Sequence, residues 1–258
     1  MISLPCSGQV LMTTSGNITL QSYFHGFPDR GGISGGYRSD FTGYADIYRM
    51  RRLVVYTTLG TTTEISQTNP GIWRLDRIWY SLAPAIRLEY KDWLVSGIIH
   101  HDCIHRLNLN EINGSTWWNA FQLVIGTRES TSLYILDYYQ ADAEEYLRRL
   151  DGSLTLSRFI KAEGTVLDGR NHNYQYYGKI RLRYPLYSSK RWFSYINTDQ
   201  QWWVNLDQST EYKSQFSFHL ILKGMVNSLG FYYIYTPEDT FSKDSEDRLG
   251  ALGIRILF

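Results

Sequence analysis

The chain has 258 residues with 26 basic and 25 acidic side chains, and it carries 21 Tyr, 11 Phe and 8 Trp. A formal net charge of +1 excludes the basic face by which a domain grips nucleic-acid phosphates. Mean hydropathy is −0.33, and no run approaches the roughly 18–20 apolar residues of a spanning helix. That leaves one large barrel or two ordinary domains, and a barrel escapes hydropathy because only alternate strand residues face lipid.

Residues 1–16 are expected to be an N-terminal extension or a residual signal region. Met1 to Met12 is fairly apolar, but the first basic residue is Arg30, so the charged start of an export leader is missing. Export is therefore inferred from the strands and not from a leader. Cys6 and Cys103 are the only cysteines. Strand geometry puts them near opposite barrel ends, well beyond the roughly 6 Å between Cα atoms that a disulfide needs.

From residue 17 onward the pattern predicts about twelve strands, at 17–25, 41–50, 53–65, 78–90, 93–106, 116–127, 131–139, 174–187, 190–204, 210–223, 228–236 and 247–258. Short joints such as Met50-Arg51-Arg52, Lys91-Asp92 and Ser188-Ser189 alternate with long ones such as 26–40, 66–77 and 107–115. Short turns at one end and long loops at the other define a single antiparallel transmembrane barrel over 17–258, with the long loops outside the cell. One connection, 140–172, reads as a long extracellular loop. It holds two short helices, Asp142–Leu150 and Ser153–Ala162, with Asp142 and Ser153 as N-caps.

The final strand shows the alternation best. Gly250, Leu252, Ile254 and Ile256 share one face, while Ala251, Gly253, Arg255 and Leu257 share the other. Its apolar parity, ending on Phe258, resembles the C-terminal strand of bacterial outer-membrane β-barrels. The same parity sorts other strands into an apolar lipid face and a charged lumen. Phe216, Phe218, Leu220 and Leu222 oppose Ser217, His219 and Lys223. Ile180, Leu182 and Tyr184 oppose Lys179, Arg181 and Arg183, and Ile86, Leu88 and Tyr90 oppose Arg87 and Glu89. Arg255 joins this inward set. A barrel of this width either conducts or is closed by paired side chains.

The fifth and sixth strands depart from the rule. The apolar row Trp93, Val95, Gly97, Ile99 continues into His101, Cys103 and His105. In the next strand Phe121, Leu123 and Ile125 continue upward into Asn119. Polar groups facing lipid cost free energy unless they are satisfied or functional. A base, a thiol and an orienting amide on one face are the parts that nucleophilic catalysis requires.

His101-Asp102-Cys103-Ile104-His105-Arg106, followed by Ser115-Thr116-Trp117-Trp118-Asn119, resembles the active-site strand pair of the outer-membrane phospholipase A family. That family is a twelve-stranded barrel with catalytic groups on its outer wall, and its pattern reads His-Asp-Ser-Asn-Gly-Arg, then a serine and a Trp-Asn pair. The resemblance implies His101 as base, Cys103 at the nucleophile position and Asn119 orienting the histidine. It further implies a calcium site at Arg106 and Ser115, membrane lipids as substrates and a homodimer or other outer-membrane proteins as partners. The departures are Cys103 for the serine, Ile104-His105 for Asn-Gly, and a longer loop before Ser115. Three readings stay open from sequence: an acyl hydrolase, a structural barrel or narrow channel whose polar groups sit at the wet rim, and a metal site at His101, Cys103 and His105.

Overall fold

The computed structural model describes residues 9–25, 36–69, 72–91, 93–106, 115–127, 151–164, 174–224, 228–240 and 249–257. Among them are twelve strands: β1 (Gln9–His25), β2 (Gly36–Met50), β3 (Leu53–Asn69), β4 (Ile72–Tyr90), β5 (Trp93–Arg106), β6 (Ser115–Thr127), β7 (Asp151–Gly164), β8 (Tyr174–Ser188), β9 (Trp192–Asn205), β10 (Thr210–Leu222), β11 (Ser228–Asp239) and β12 (Leu249–Leu257). Each pairs antiparallel with its sequence neighbours, and β1 pairs with β12 through Asn17↔Leu257 to His25↔Leu249. The sheet is thus closed, and no backbone edge is left to recruit another chain.

Two expectations change. β1 begins at Gln9, eight residues before the expected start of the barrel, because Thr13 to Tyr23 stay in register with Asp46 to Gly36 of β2. The segment expected as the helix Ser153–Ala162 is strand β7. Leu154, Leu156 and Ile160 face outward and Ser157 is buried, a period of two that outweighs the capping potential of Ser153. The expected strand 131–139, the expected helix Asp142–Leu150 and the expected barrel-terminal Phe258 lie outside the described residues. Up-and-down order survives because β6 leads directly to β7. The expected extracellular loop 140–172 is therefore divided by β7: Thr127 and Asp151, the ends of β6 and β7, lie on the short-turn side, and Gly164 and Tyr174 on the opposite side.

The short-turn end is built from tight reversals. Met50 pairs with Leu53 and Tyr90 with Trp93, and Arg51 and Lys91 take φ of 54° and 52°, the left-handed geometry that short hairpins demand. Arg52 and Lys91 lie 4.9 and 5.6 Å from the centre of the Tyr90 ring. With Trp93 exposed beside it, this forms an aromatic interfacial belt with cations on its wet side.

The walls follow the alternation. Leu82, Ile86, Leu88, Ile99, Phe121, Leu123, Phe216, Phe218, Ile254 and Ile256 are exposed on the outside, where lipid replaces water as their solvent. The inside is polar and cross-linked. Arg87, 1% exposed, donates from Nε to Glu89 at 3.0 Å and from Nη2 to Asp46 at 3.2 Å. Arg49 donates to the same Glu89 at 2.8 Å. Across the lumen, Arg181 grips Asp199 through two bonds of 2.8 and 3.0 Å, and Lys179 reaches the same carboxylate at 3.2 Å. Lys223, just beyond β10, donates to Ser188 at 3.2 Å.

Candidate functional site

The outer face of β5 is set by register with its two neighbours. His101 stands opposite Leu82 and Asn119, Cys103 opposite Tyr80 and Trp117, and His105 opposite Ile78 and Ser115. His101 is exposed, and Cys103, His105 and Asn119 are half-buried. With about 3.3 Å per residue and a tilt of about 40°, His101, Cys103 and His105 stand ~20, ~25 and ~30 Å above the Trp93 belt. The apolar band of such barrels is about 25 Å tall, so this row crosses the outer interface, at the depth of lipid ester groups.

Two hydrogen bonds organise the row. His101 donates from Nδ1 to Oδ1 of Asn119 at 2.7 Å, which fixes the ring across the strand pair; in the neutral ring Nε2 is then the basic nitrogen. The Cys103 thiol is bonded to Nε2 of His105 at 3.0 Å. His105 meets Tyr80 edge-on at 5.9 Å between ring centres, and His101 lies 6.2 Å from Trp117. Asn119 therefore meets His101 as the sequence pattern implies, whereas the imidazole on the thiol is His105. Strand parity puts residues 101, 103 and 105 on one face, and the side-chain rotamers decide which imidazole meets the thiol.

Behind the site, on the lumen side of the same strand, lies a group that sequence reasoning left without a role. Asp102 is buried and accepts from Trp79 Nε1 at 3.0 Å and Trp118 Nε1 at 2.9 Å, with His100 Nδ1 3.1 Å from the same carboxylate. The two indoles meet edge-to-face at 5.6 Å. One carboxylate thus fastens β4, β5 and β6 directly behind His101 and Cys103.

The calcium expectation meets the chemistry of the donor set. Calcium takes oxygen ligands, and the two positions after Cys103 supply an aliphatic side chain and an imidazole already bonded to the thiol. The side chains of Arg106 and Ser115 lie outside the described residues. Among the described residues no group of three His, Cys, Asp or Glu side chains is arranged to hold a metal ion. Ile104 and His105 bring no oxygen ligand to the row, and no step below runs through calcium.

A closed antiparallel sheet, an apolar outer wall and a polar lumen define the class, an integral β-barrel of the bacterial outer-membrane type. The sequence matches no family model, and no curated protein resembles it closely enough to count as a relative. Among solved structures it is similar to the KdgM porin, with a TM-score of 0.50 at 8% identity over 95% of this chain and 98% of that one. It is also similar to the Salmonella typhi outer membrane phospholipase dimer with bound calcium, with a TM-score of 0.49 at 8% identity over 97% of this chain and 92% of that one. The translocator domain of the autotransporter NalP from Neisseria meningitidis gives 0.48 at 14% identity, over 96% of this chain and 88% of that one. Identities this low speak to the fold alone.

Proposed function

We propose that the outer wall of β5 and β6 is a thiol-dependent acyl-hydrolase site acting on membrane lipids. The carrying observation is the His101–Asn119 bond of 2.7 Å on the lipid-facing side, one step along the row from a thiol that has its own imidazole. In the reaction, His105 takes the Cys103 proton and the thiolate attacks an ester carbonyl, breaking the acyl–oxygen bond. The leaving alcohol takes its proton from an imidazolium, and a thioester remains on Cys103. Water, deprotonated by His101 Nε2, then attacks the thioester and releases a fatty acid and the free thiol. His101 can hold that orientation because Asn119 fixes its Nδ1–H. Asp102 acts from behind as a positioning residue, through the strands it fastens.

The substrate class follows from the place. A nucleophile on the outer wall at the lipid interface meets acyl esters without extracting them into a pocket. A partner barrel docked on the same wall, as in a homodimer, would close the site from the side. The test is acyl release from phospholipid vesicles by the full chain folded into detergent or bilayer, with and without added calcium, beside Cys103→Ala. Release that disappears in Cys103→Ala supports the reading; no release from the folded wild type under either condition ends it.

A further inference from the structure

A ladder of rings and cations crosses five neighbouring strands on the inner wall. Arg183 of β8 lies 4.7 Å above the Tyr195 ring of β9. Tyr195 stacks on His219 of β10 at 4.4 Å and 9°. His219 stacks on Tyr232 of β11 at 5.6 Å and 25°, and Arg255 of β12 caps the far side of Tyr232 at 5.2 Å. Register builds the centre of the ladder, because His219 is directly opposite both Tyr195 and Tyr232. All five residues line one lumen cavity of about 530 Å³.

The buried side-chain nitrogens on this wall that have no hydrogen-bond partner include His219 Nδ1 and Arg255 Nε. His219 is 4% exposed and its Nε2 pairs with the Ser217 hydroxyl at 2.9 Å; in the tautomer that accepts there, the Nδ1–H is buried without a partner. The Nε of Arg255 is likewise buried without an acceptor. Among the described residues of the cavity lining, β8 to β12 contribute Arg181, Arg183 and Arg255 against one carboxylate, Asp199, which Arg181 and Lys179 already occupy. The facing strands contribute Arg38 against Asp40 and Asp102. The lumen is therefore polarised across its width, positive on the β8–β12 wall.

We propose that this wall binds the oxyanion group of a solute, a carboxylate or a phosphate, with Arg255 as the anchor and His219 Nδ1 as a second donor. A guanidinium matches either oxyanion with a planar pair of N–H groups. Burial out of bulk water strengthens the contact. The ladder holds both donors in place, because each is stacked on Tyr232. This site is separate from the outer wall, so its success or failure is independent of lipid hydrolysis.

The test is calorimetric titration of the folded full chain in detergent with two probes, inorganic phosphate and citrate, against Arg255→Gln. Saturable binding of either probe, weakened at least tenfold in Arg255→Gln with acyl release unchanged, is the expected result. The stronger of the two probes assigns the oxyanion as phosphate or carboxylate. No binding of either probe, or binding indifferent to Arg255→Gln, overturns the proposal. Should Arg255→Gln fail to fold, Arg255→Lys keeps the charge and removes the fork. Binding weakened threefold or more in that variant supports the site, and unchanged binding overturns it.

Discussion

The Cys103 thiol is bonded to Nε2 of His105 at 3.0 Å, two residues along the same strand, and His101 is bonded to Asn119 instead. In the proposed reaction the two imidazoles therefore have different work. His105→Ala is expected to lower acyl release about 10²-fold or more, the usual worth of a positioned general base. It should also slow alkylation of Cys103 by iodoacetamide at neutral pH. His101→Ala is expected to lower acyl release while leaving the alkylation rate near that of the wild type. Equal effects of the two variants on alkylation would remove the distinction.

In the proposed mechanism Asn119 acts through His101, so its substitution should change turnover more than substrate binding. Asn119→Ala removes the acceptor of the 2.7 Å bond and is expected to lower kcat roughly 10- to 100-fold with KM nearly unchanged, the signature of an interaction that matters in the transition state. Asn119→Asp keeps an acceptor at the same place and should retain most of the rate. Steady-state kinetics on one lipid substrate separates these outcomes.

How far the sequence carries depends on which physical rule governs each residue. Period-two alternation is a strong constraint when one face meets lipid, so Ile254 and Ile256 against Arg255, or Leu182 and Tyr184 against Arg183, were legible at once. The same rule placed His101, Cys103 and Asn119 on one face. It failed at Ser153–Ala162, where a capping serine and a polar-apolar mixture suit a helix as well as a strand, and only pairing with β6 and β8 decides. Hydrogen-bond partners are a different matter. Asp102 and Trp79 are 23 residues apart in sequence, and their contact depends on the stagger between β4 and β5, which alternation does not specify. The thiol's choice of His105 over His101 turns on side-chain rotamers, which parity leaves open.

Arg87 tests the electrostatics of the lumen. Its side chain is 1% exposed and sits between Asp46 and Glu89. Arg87→Met keeps the volume but takes one cation from between two carboxylates that then share Arg49. It should therefore destabilise the barrel by about 3–5 kcal/mol, the typical cost of breaking a buried ion pair from one side. Adding Asp46→Leu to Arg87→Met should recover part of that loss, because one uncompensated charge goes with it. Denaturant unfolding of the three variants in the same lipid or detergent measures both steps, and a double variant no better than the single would count against the network.

Gly253 tests the ladder from its backbone side. It lies opposite Tyr232 in the β11–β12 pairing, and a Cβ added there would sit within the Tyr232 ring. The glycine is what lets that ring fold flat along the wall between His219 and Arg255. Gly253→Ala should therefore push Tyr232 out of the stack and cost about 1–3 kcal/mol, the range of overpacking in a well-filled interior. Gly97 provides the contrast, because a Cβ there meets nothing within 4 Å. Gly97→Ala should be neutral or stabilising by about 0.4–1 kcal/mol, through the reduced freedom of the unfolded chain. If the clash is the cause, Tyr232→Ala combined with Gly253→Ala will cost less than the two single changes together. Full additivity would assign the loss at Gly253 to strand propensity, and the ladder would no longer explain why a glycine stands there.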